Sequence, residues 1–455
     1  MAHLLIIGGS DAGISAALRA REVDPAMEVT VVVADRFPNY SICGIPFFIS
    51  GEVPDWHDLA HRTASDIQAK GIRLLLEHTA QAIDPAAKQV TVLDRTGATR
   101  ELPYDRLIVA TGAEPARPQI AGLDLPGVYL LRPMESAFRL HRHVRKREPR
   151  SALVIGGGYI GLEMVDAFAH LGMSVTVVEY MPSLMPTVDP SLGRVIGAEV
   201  ERHGVEVVTG VGIEQIERVG DLLAVRGTGG FQARANLVLV AVGVRPVSGL
   251  AAAAGAQRGI RGALRVNQQM ETGVAGVYAA GDCIETWHRL LERYVYLPLG
   301  TTAHKQGRVA GENAAGGHST FAGSLGTQVV RVFDLAVART GLLETEAAQA
   351  GFDPLTIELE TWDHKAYYPG AHRIHLRVTG DRWTGRLLGA QMVGHVSTQV
   401  AKRIDVFATA LFHGMAVAAL SDLDLSYTPP LSSPWDPVQE AAQMWISQRQ
   451  GRHGT

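Results

Sequence analysis

Two strand, glycine turn and helix units, one opening the chain and one near residue 150, predict an α/β protein with two Rossmann-like dinucleotide-binding domains. A C-terminal stretch of alternating strands and one amphipathic helix predicts an appended α+β domain. In the first unit an apolar run at 4–7 feeds Gly8, Gly9, Ser10, Asp11, Ala12 and Gly13, then a helical stretch over 14–21. A β-branched run at 29–33 follows, with Asp35 just beyond it. The unit recurs as an apolar run at 152–155, the turn Gly156-Gly157-Gly158-Tyr159-Ile160-Gly161, a helix through 171, and a run at 175–178 ending in Glu179. The segments LIVATG (107–112) and LVLVAVG (237–243) read as buried parallel strands that stop at glycine, each closing a nucleotide-binding layer. A further strand, VYAAGD (277–282), precedes a helical pattern over 303–315. From about 326 the texture changes, with strands expected at 329–333, 374–378 and 387–393 and a helix over 400–413.

The 455 residues are 46% hydrophobic and 19% charged, with 49 Gly and 22 Pro, which excludes a disordered tail, a collagen-like repeat and a coiled coil. A net charge of −4 leaves no basic footprint for nucleic acid. Two cysteines, Cys43 and Cys283, are too few for a secreted disulfide framework and point to a reducing cytoplasm. The N-terminal MAHLLIIGG runs into a glycine turn where a leader would have its cleavage site. The stretch 406–420 comes nearest to a membrane span but contains His413 and Gly414, so no membrane association is expected.

The second glycine turn matches GxGxxG in full context. Gly156 permits the tight turn, Gly158 lets the backbone approach a pyrophosphate, and Gly161 allows helix and strand to touch. The helix N-terminus faces the phosphates with partial positive charge. Glu179 is placed to accept from ribose hydroxyls and repel a 2′-phosphate, which favours NADH and leaves NADPH as the less favoured cofactor. In the first turn Ser10 replaces the middle glycine and Asp11 brings a carboxylate near the pyrophosphate. The second half of a flavin site, Ala280-Gly281-Asp282, offsets that weakness, because an Asp at a strand end can bond a ribityl hydroxyl. FAD is the expected first ligand. Cys43 lies just before an expected helix, where a thiol pKa is depressed; a lone Cys is otherwise a small buried hydrophobe.

The order of FAD turn, Cys43-Gly44-Ile45-Pro46, Ala110-Thr111-Gly112, GGGYIGLE, VGVRP, AAGDC and TAHKQGRVAGENAAG resembles the pyridine nucleotide-disulfide oxidoreductases over nearly the whole chain. Within them it resembles the single-cysteine branch of coenzyme A-disulfide reductases, NAD(P)H sulfur or polysulfide reductases, and NADH oxidases and peroxidases. Glutathione-reductase-like members carry a Cys pair, whereas Pro38 and Phe48 stand at that spacing from Cys43. The resemblance implies a discontinuous FAD-binding domain (1–115 and 245–325), an NAD(P)H-binding domain (116–244), a dimerisation domain (326–447) and a tail (448–455). It implies FAD contacts from Asp35, Arg36, Ser41, Ala110, Thr111, Gly112, Thr301 and Thr302, and nucleotide contacts from Tyr159, Ile160, Glu163 and Gly243. In a homodimer Tyr427, Tyr367 and Tyr368 would lie over the redox Cys, as donors to a leaving thiolate or as interface packing. Arg19, Arg21 and Arg62 stand where similar proteins place cations for coenzyme A phosphates; solvated surface arginines are the alternative. A buried structural thiol is expected at Cys283.

Peroxidase and oxidase members carry His at the place of Asp11 and Ser-Cys-Gly-Met at the redox Cys, so a disulfide-type substrate is preferred over oxygen. Asp11 also replaces the small residue usual in the reductases. It is either an added proton donor beside the thiol or a helix N-cap. The expected cycle passes a hydride from NADH to FAD and electrons on to Cys43, which attacks a small-molecule disulfide or sulfane sulfur. The competing readings are an NADH oxidase or peroxidase that cycles Cys43 through sulfenic acid, and a non-catalytic flavoprotein that senses NADH. No metal site is expected.

Overall fold

The computed structural model describes residues 2–131 and 134–451. Its first sheet is five-stranded and wholly parallel, in the order Val277–Ala279, Arg106–Val109, His3–Ile7, Glu28–Val32, Ile72–Leu75. Leu4, Leu5 and Ile6 on its central strand are fully buried, as a strand covered on both faces requires. The second sheet repeats the design in the order Glu206–Thr209, Ser174–Glu179, Ser151–Ile155, Leu237–Val240, Val128–Leu130. The two runs of chain that cross between these units, Ala113–Pro115 and Val244–Pro246, pair antiparallel with each other. The third sheet is antiparallel, in the order Gln328–Val332, Leu335–Gly341, Leu387–His395, Arg373–Asp381, Pro354–Trp362, with the helices Val400–Phe412 and Pro437–Gly451 packed on it. The chain is thus α/β with two Rossmann-like units and a C-terminal α+β domain.

Two additions have no counterpart in the sequence reading. Three-stranded antiparallel sheets run over His78–Asp84, Gln89–Asp94 and Thr99–Pro103, and over Ile213–Val219, Leu222–Gly227 and Gln232–Ala235. The reading of a tail from 448 needs correcting, because the last helix continues to Gly451. Arg449 anchors its final turn by donating to the carbonyls of Arg382 and Trp383. Residues 452–455 of that expected tail lie outside the described residues. No described helix is long and apolar enough to cross a membrane.

Glycine sets how closely the first unit packs. The first helix, Asp11–Val23, lies against the helix Gly300–Ala314 so tightly that a Cβ on Gly307 or Gly311 would sit 2.2 Å from the carbonyl oxygen of Ala12 or Ala16. A Cβ on Gly13 would meet the Gly8 oxygen at 1.9 Å, and one on Gly161 the Gly156 oxygen at 1.9 Å. Helix and strand therefore touch backbone to backbone at both turns. Gly13→Ala is expected to cost about 3 kcal/mol and to yield protein that loses its flavin, read by denaturant unfolding and by the flavin absorbance of the purified variant. Wild-type stability with full flavin would show that the turn is looser than described.

Candidate active site

At the first turn Gly8 has φ +117°, and a Cβ there would lie 2.0 Å from the Ala110 oxygen. A side chain on Gly9 would run into Val33 at 2.5 Å, and Gly281, with φ +85°, packs against the Ala12 methyl. These contacts carve a cradle that only backbone can line. Buried Asn39 donates its backbone N–H to the Gly9 carbonyl at 2.7 Å, yet neither its amide nitrogen nor its amide oxygen has a hydrogen-bond partner among the described residues. Buried polar atoms are normally satisfied, so an unpaired amide beside a glycine cradle fits a polar group such as FAD. Sequence reasoning missed Asn39. Asp35 accepts from the Phe37 N–H at 2.9 Å, while burial pushes its carboxyl upward. Arg36 is exposed and lies over the Phe37 ring. Ser41 is half-buried, its backbone N–H donating to the Leu59 carbonyl. Thr111 donates its hydroxyl to the Val247 carbonyl at 2.5 Å, which ties the strand end to the returning crossing.

The second turn has the same geometry. Gly156 has φ +107°, with Ala241 backbone 2.5 Å from where its Cβ would be, whereas a Cβ on Gly158 would meet nothing within 4 Å. Gly158 therefore faces open space at the N-terminus of the helix Tyr159–His170, as a pyrophosphate seat requires. Glu179 is buried and accepts from the backbone N–H groups of Gly157 (2.6 Å) and Met181 (2.7 Å), which fixes its carboxylate at the lip of the turn. Gly243, with φ +102°, turns the chain out of the second sheet.

Cys43 occupies a 3-10 turn, Ile42–Gly44, that runs directly into the helix Ile45–Ser50. The thiol is exposed and, among the described residues, is not part of a disulfide. It opens into a cavity of about 490 Å³ that also touches Ser10, Asp11, Ala12, Ala110, Gly112, Gly281, Asp282 and Thr301 from the first unit. From the second unit the same cavity is lined by Tyr159, Ile160 and Glu163, and from the C-terminal sheet by residues 327–330 and Arg339. The C-terminal lining was not foreseen, since nothing in a strand sequence says which cavity its end will border. Thr302 differs from Thr301: it is buried and bonds Ser324 at 3.2 Å, so it supports the helix from beneath. Burial pushes the Glu163 carboxyl up to about 7, opposed by the Arg331 guanidinium and assisted by Asp166. Arg331 itself grips Glu52 at 2.6 and 2.9 Å, joining the C-terminal sheet to the end of the Cys43 helix. Cys283 is fully buried, its thiol directed at the carbonyls of Ala280 and Val109, and burial raises its pKa.

Other expected residues lie elsewhere. Tyr367, Tyr368 and Tyr427 are exposed on the C-terminal domain, and none lines the Cys43 cavity of its own chain. Arg21 and Arg62 share an open hollow of about 370 Å³ with Lys70, a cation the sequence reading passed over. Arg19 is held away from them by Glu312 at 2.7 Å and Glu22 at 2.9 Å. Among the described residues one group, Glu199, His203 and Asp334, has metal-like spacing, but Arg202 bridges both carboxylates at 2.7 and 2.8 Å.

Comparison with known proteins agrees with this geometry. Residues 2–307 match the model for "Pyridine nucleotide-disulphide oxidoreductase" and residues 327–437 its dimerisation domain. The chain is 35% identical over 97% of its length to a CoA-dependent NAD(P)H sulfur oxidoreductase of Pyrococcus abyssi, covering 97% of that protein. It is 32% identical over 96% of its length to an NADH oxidase of Methanocaldococcus jannaschii, covering 97% of that protein. A solved NAD-dependent persulfide reductase from A. fulgidus superposes with TM-score 0.95 at 37% identity, over 99% of this chain and 84% of that one. With its nucleotide-binding and dimerisation halves both matched, the chain belongs to the pyridine nucleotide-disulphide oxidoreductases and is an FAD- and NAD(P)H-dependent enzyme.

Proposed function

We propose that the chain reduces a small disulfide, persulfide or polysulfide, with NADH as preferred donor and Cys43 as the single redox thiol. One observation carries this reading: an exposed thiol opens into the same cavity as residues from both glycine turns. When bound, NAD(P)H supplies a hydride and FAD converts that two-electron input into reduction of a sulfur bond. Ser10, Ala12, Ala110, Gly112, Gly281, Asp282 and Thr301 would hold the flavin, while Tyr159, Ile160 and Glu163 orient the nicotinamide end. The Cys43 thiolate attacks one sulfur of the substrate, forming a Cys43–sulfur bond as the substrate S–S bond breaks and a thiolate leaves. One cysteine suffices because the substrate contributes the second sulfur. Reduction of that mixed disulfide by two electrons restores the Cys43 thiolate and frees the second thiol.

The hollow bearing Arg21, Arg62 and Lys70 supports coenzyme A as the thiol, because three cations suit its phosphates. The exposed tyrosines suit a homodimer in which a second copy closes the cavity, with a phenol donating to the leaving thiolate. A second reading, oxidation of NADH by oxygen or peroxide through a Cys43 sulfenic acid, is favoured by the likeness to the NADH oxidase of Methanocaldococcus jannaschii.

Cys43→Ser is expected to lower anaerobic NADH turnover of coenzyme A disulfide and polysulfide by at least about a thousandfold while flavin content stays intact. Retained turnover defeats the proposal, and fast oxygen consumption with no added disulfide would move the assignment to the second reading. Wild-type kcat/KM is expected to favour NADH over NADPH by roughly tenfold or more, and Glu179→Gln to narrow the ratio, because a 2′-phosphate meets one charge less. An NADPH preference in the wild type would remove that role from Glu179. Glu163 gives a pH test. Its folded pKa lies above the ordinary 4.5, so the native state holds the extra proton between about 4.5 and 7 and stability falls as pH rises through that window. Glu163→Gln should therefore stabilise the holoenzyme at pH 8 by up to about 3 kcal/mol in urea unfolding and leave it unchanged at pH 4. A gain of equal size at both values would mean that the carboxyl is not the cause.

A further inference from the structure

Reducing one disulfide with one NAD(P)H yields two thiols and takes up one proton from water, so the site needs a route by which that proton reaches the expelled sulfur. Asp11, at the first position of its helix, lines the same cavity into which Cys43 opens. Its Oδ1 is buried and lies 3.4 Å from Nε2 of His304, a residue on the Gly300–Ala314 helix packed alongside. Nδ1 of the same ring lies 2.8 Å from Ser15 Oγ, one helical turn beyond Asp11. Nδ1 is thus held by Ser15 while Nε2 faces Asp11, and the His304 side chain is 41% exposed to solvent, against 26% for Asp11. A solvated imidazole aimed at a carboxylate that lines the cavity of the redox thiol is the arrangement a proton relay requires.

We propose that His304 is the proton port of this site: it takes a proton from water and passes it through the Asp11 carboxyl to the thiolate expelled at Cys43. The inference rests on the disulfide-reducing role of Cys43 set out above. Asp11 gives its proton to the leaving sulfur, which becomes a neutral thiol, and regains one on Oδ1 from His304 Nε2. Water then reprotonates the imidazole. Ser15 is a positioning residue that fixes the ring so that Nε2 faces Asp11. His61 also faces His304, ring to ring at 6.2 Å, and Arg308, one turn along the same helix, is paired with Glu22 at 3.6 Å.

The test uses the FAD-loaded enzyme, anaerobically, with NADH and either coenzyme A disulfide or inorganic polysulfide. His304→Gln is expected to lower kcat about 10- to 100-fold and to abolish the alkaline limb of the pH profile that wild type owes to imidazolium loss. Added imidazole should restore much of the rate, and NADH should bleach the flavin absorbance as fast as in wild type. Ser15→Ala, which leaves both helices intact, should shift the alkaline limb with a few-fold loss of kcat. Wild-type turnover with an unchanged profile in both variants would overturn the proposal, as would a His304→Gln defect that imidazole does not relieve. Turnover persisting in Cys43→Ser would instead overturn the functional reading beneath it.

Discussion

The site depends on one packing decision: the helix that carries Cys43 is contributed by the first nucleotide-binding unit but buried in the core of the second. Ile45, Phe48 and Ile49 are 1%, 3% and 0% exposed, and they share an apolar cluster with Leu162, Val165 and Phe168 of the helix behind the second glycine turn. Burying three such side chains contributes about 2 kcal/mol each as an upper estimate, enough to hold a six-residue helix that could not form alone. With its apolar face committed to the second unit, the preceding turn has one direction left in which to present its thiol. That direction is the cavity between the two units. The Arg331–Glu52 pair ties the far end of the same helix to the C-terminal sheet, so three parts of the chain converge on one sulfur.

Much of this was legible in the sequence because the decisive constraints are local. A strand that ends in glycine, a turn without Cβ atoms and a helix with small residues at its start can hardly be built another way, and both units appear where the motifs place them. The antiparallel sheet of Gln89–Asp94 and its neighbours was not read, since Val90 and Val92 alternate over a single strand while the strands flanking it are mostly polar and exposed. Asn39, Lys70 and residues 327–330 belong to another class. Each earns its place from what folds against it, and no local pattern marks a residue whose neighbours arrive from elsewhere in the chain. Arg19 shows the converse: its position on the first helix suggested a phosphate ligand, but Glu312 on a distant helix claims its guanidinium.

The electrostatics of the cavity are unusual for a site that must admit phosphates and thiolates. Asp11, Glu163, Asp282 and Asp405 line it, with Arg339 as the cation among them. Two helix N-termini offset some of that negative charge by pointing their free N–H groups inward at the glycine turns. Glu163 responds in the other way, holding its proton until about pH 7 because burial disfavours its charge. Arg331 keeps this shift from growing larger, so the residue that braces the Cys43 helix also sets the charge beside the proposed nicotinamide seat.

The two cysteines show why one thiol must work alone. Cys283 has the chemistry of a nucleophile but no access: it is fully buried, directed at backbone carbonyls, and burial holds its thiol in the protonated form. Cys43 has access, but no place for an intramolecular partner. Phe48, at the spacing where a paired thiol would stand, points into the second core against Phe138 and His141. A sulfur at that position would face away from Cys43 and from the cavity alike. The second sulfur of the reaction must therefore enter with the substrate, and the apolar contacts that aim Cys43 into the cavity also make it an enzyme of external disulfides and sulfane sulfur.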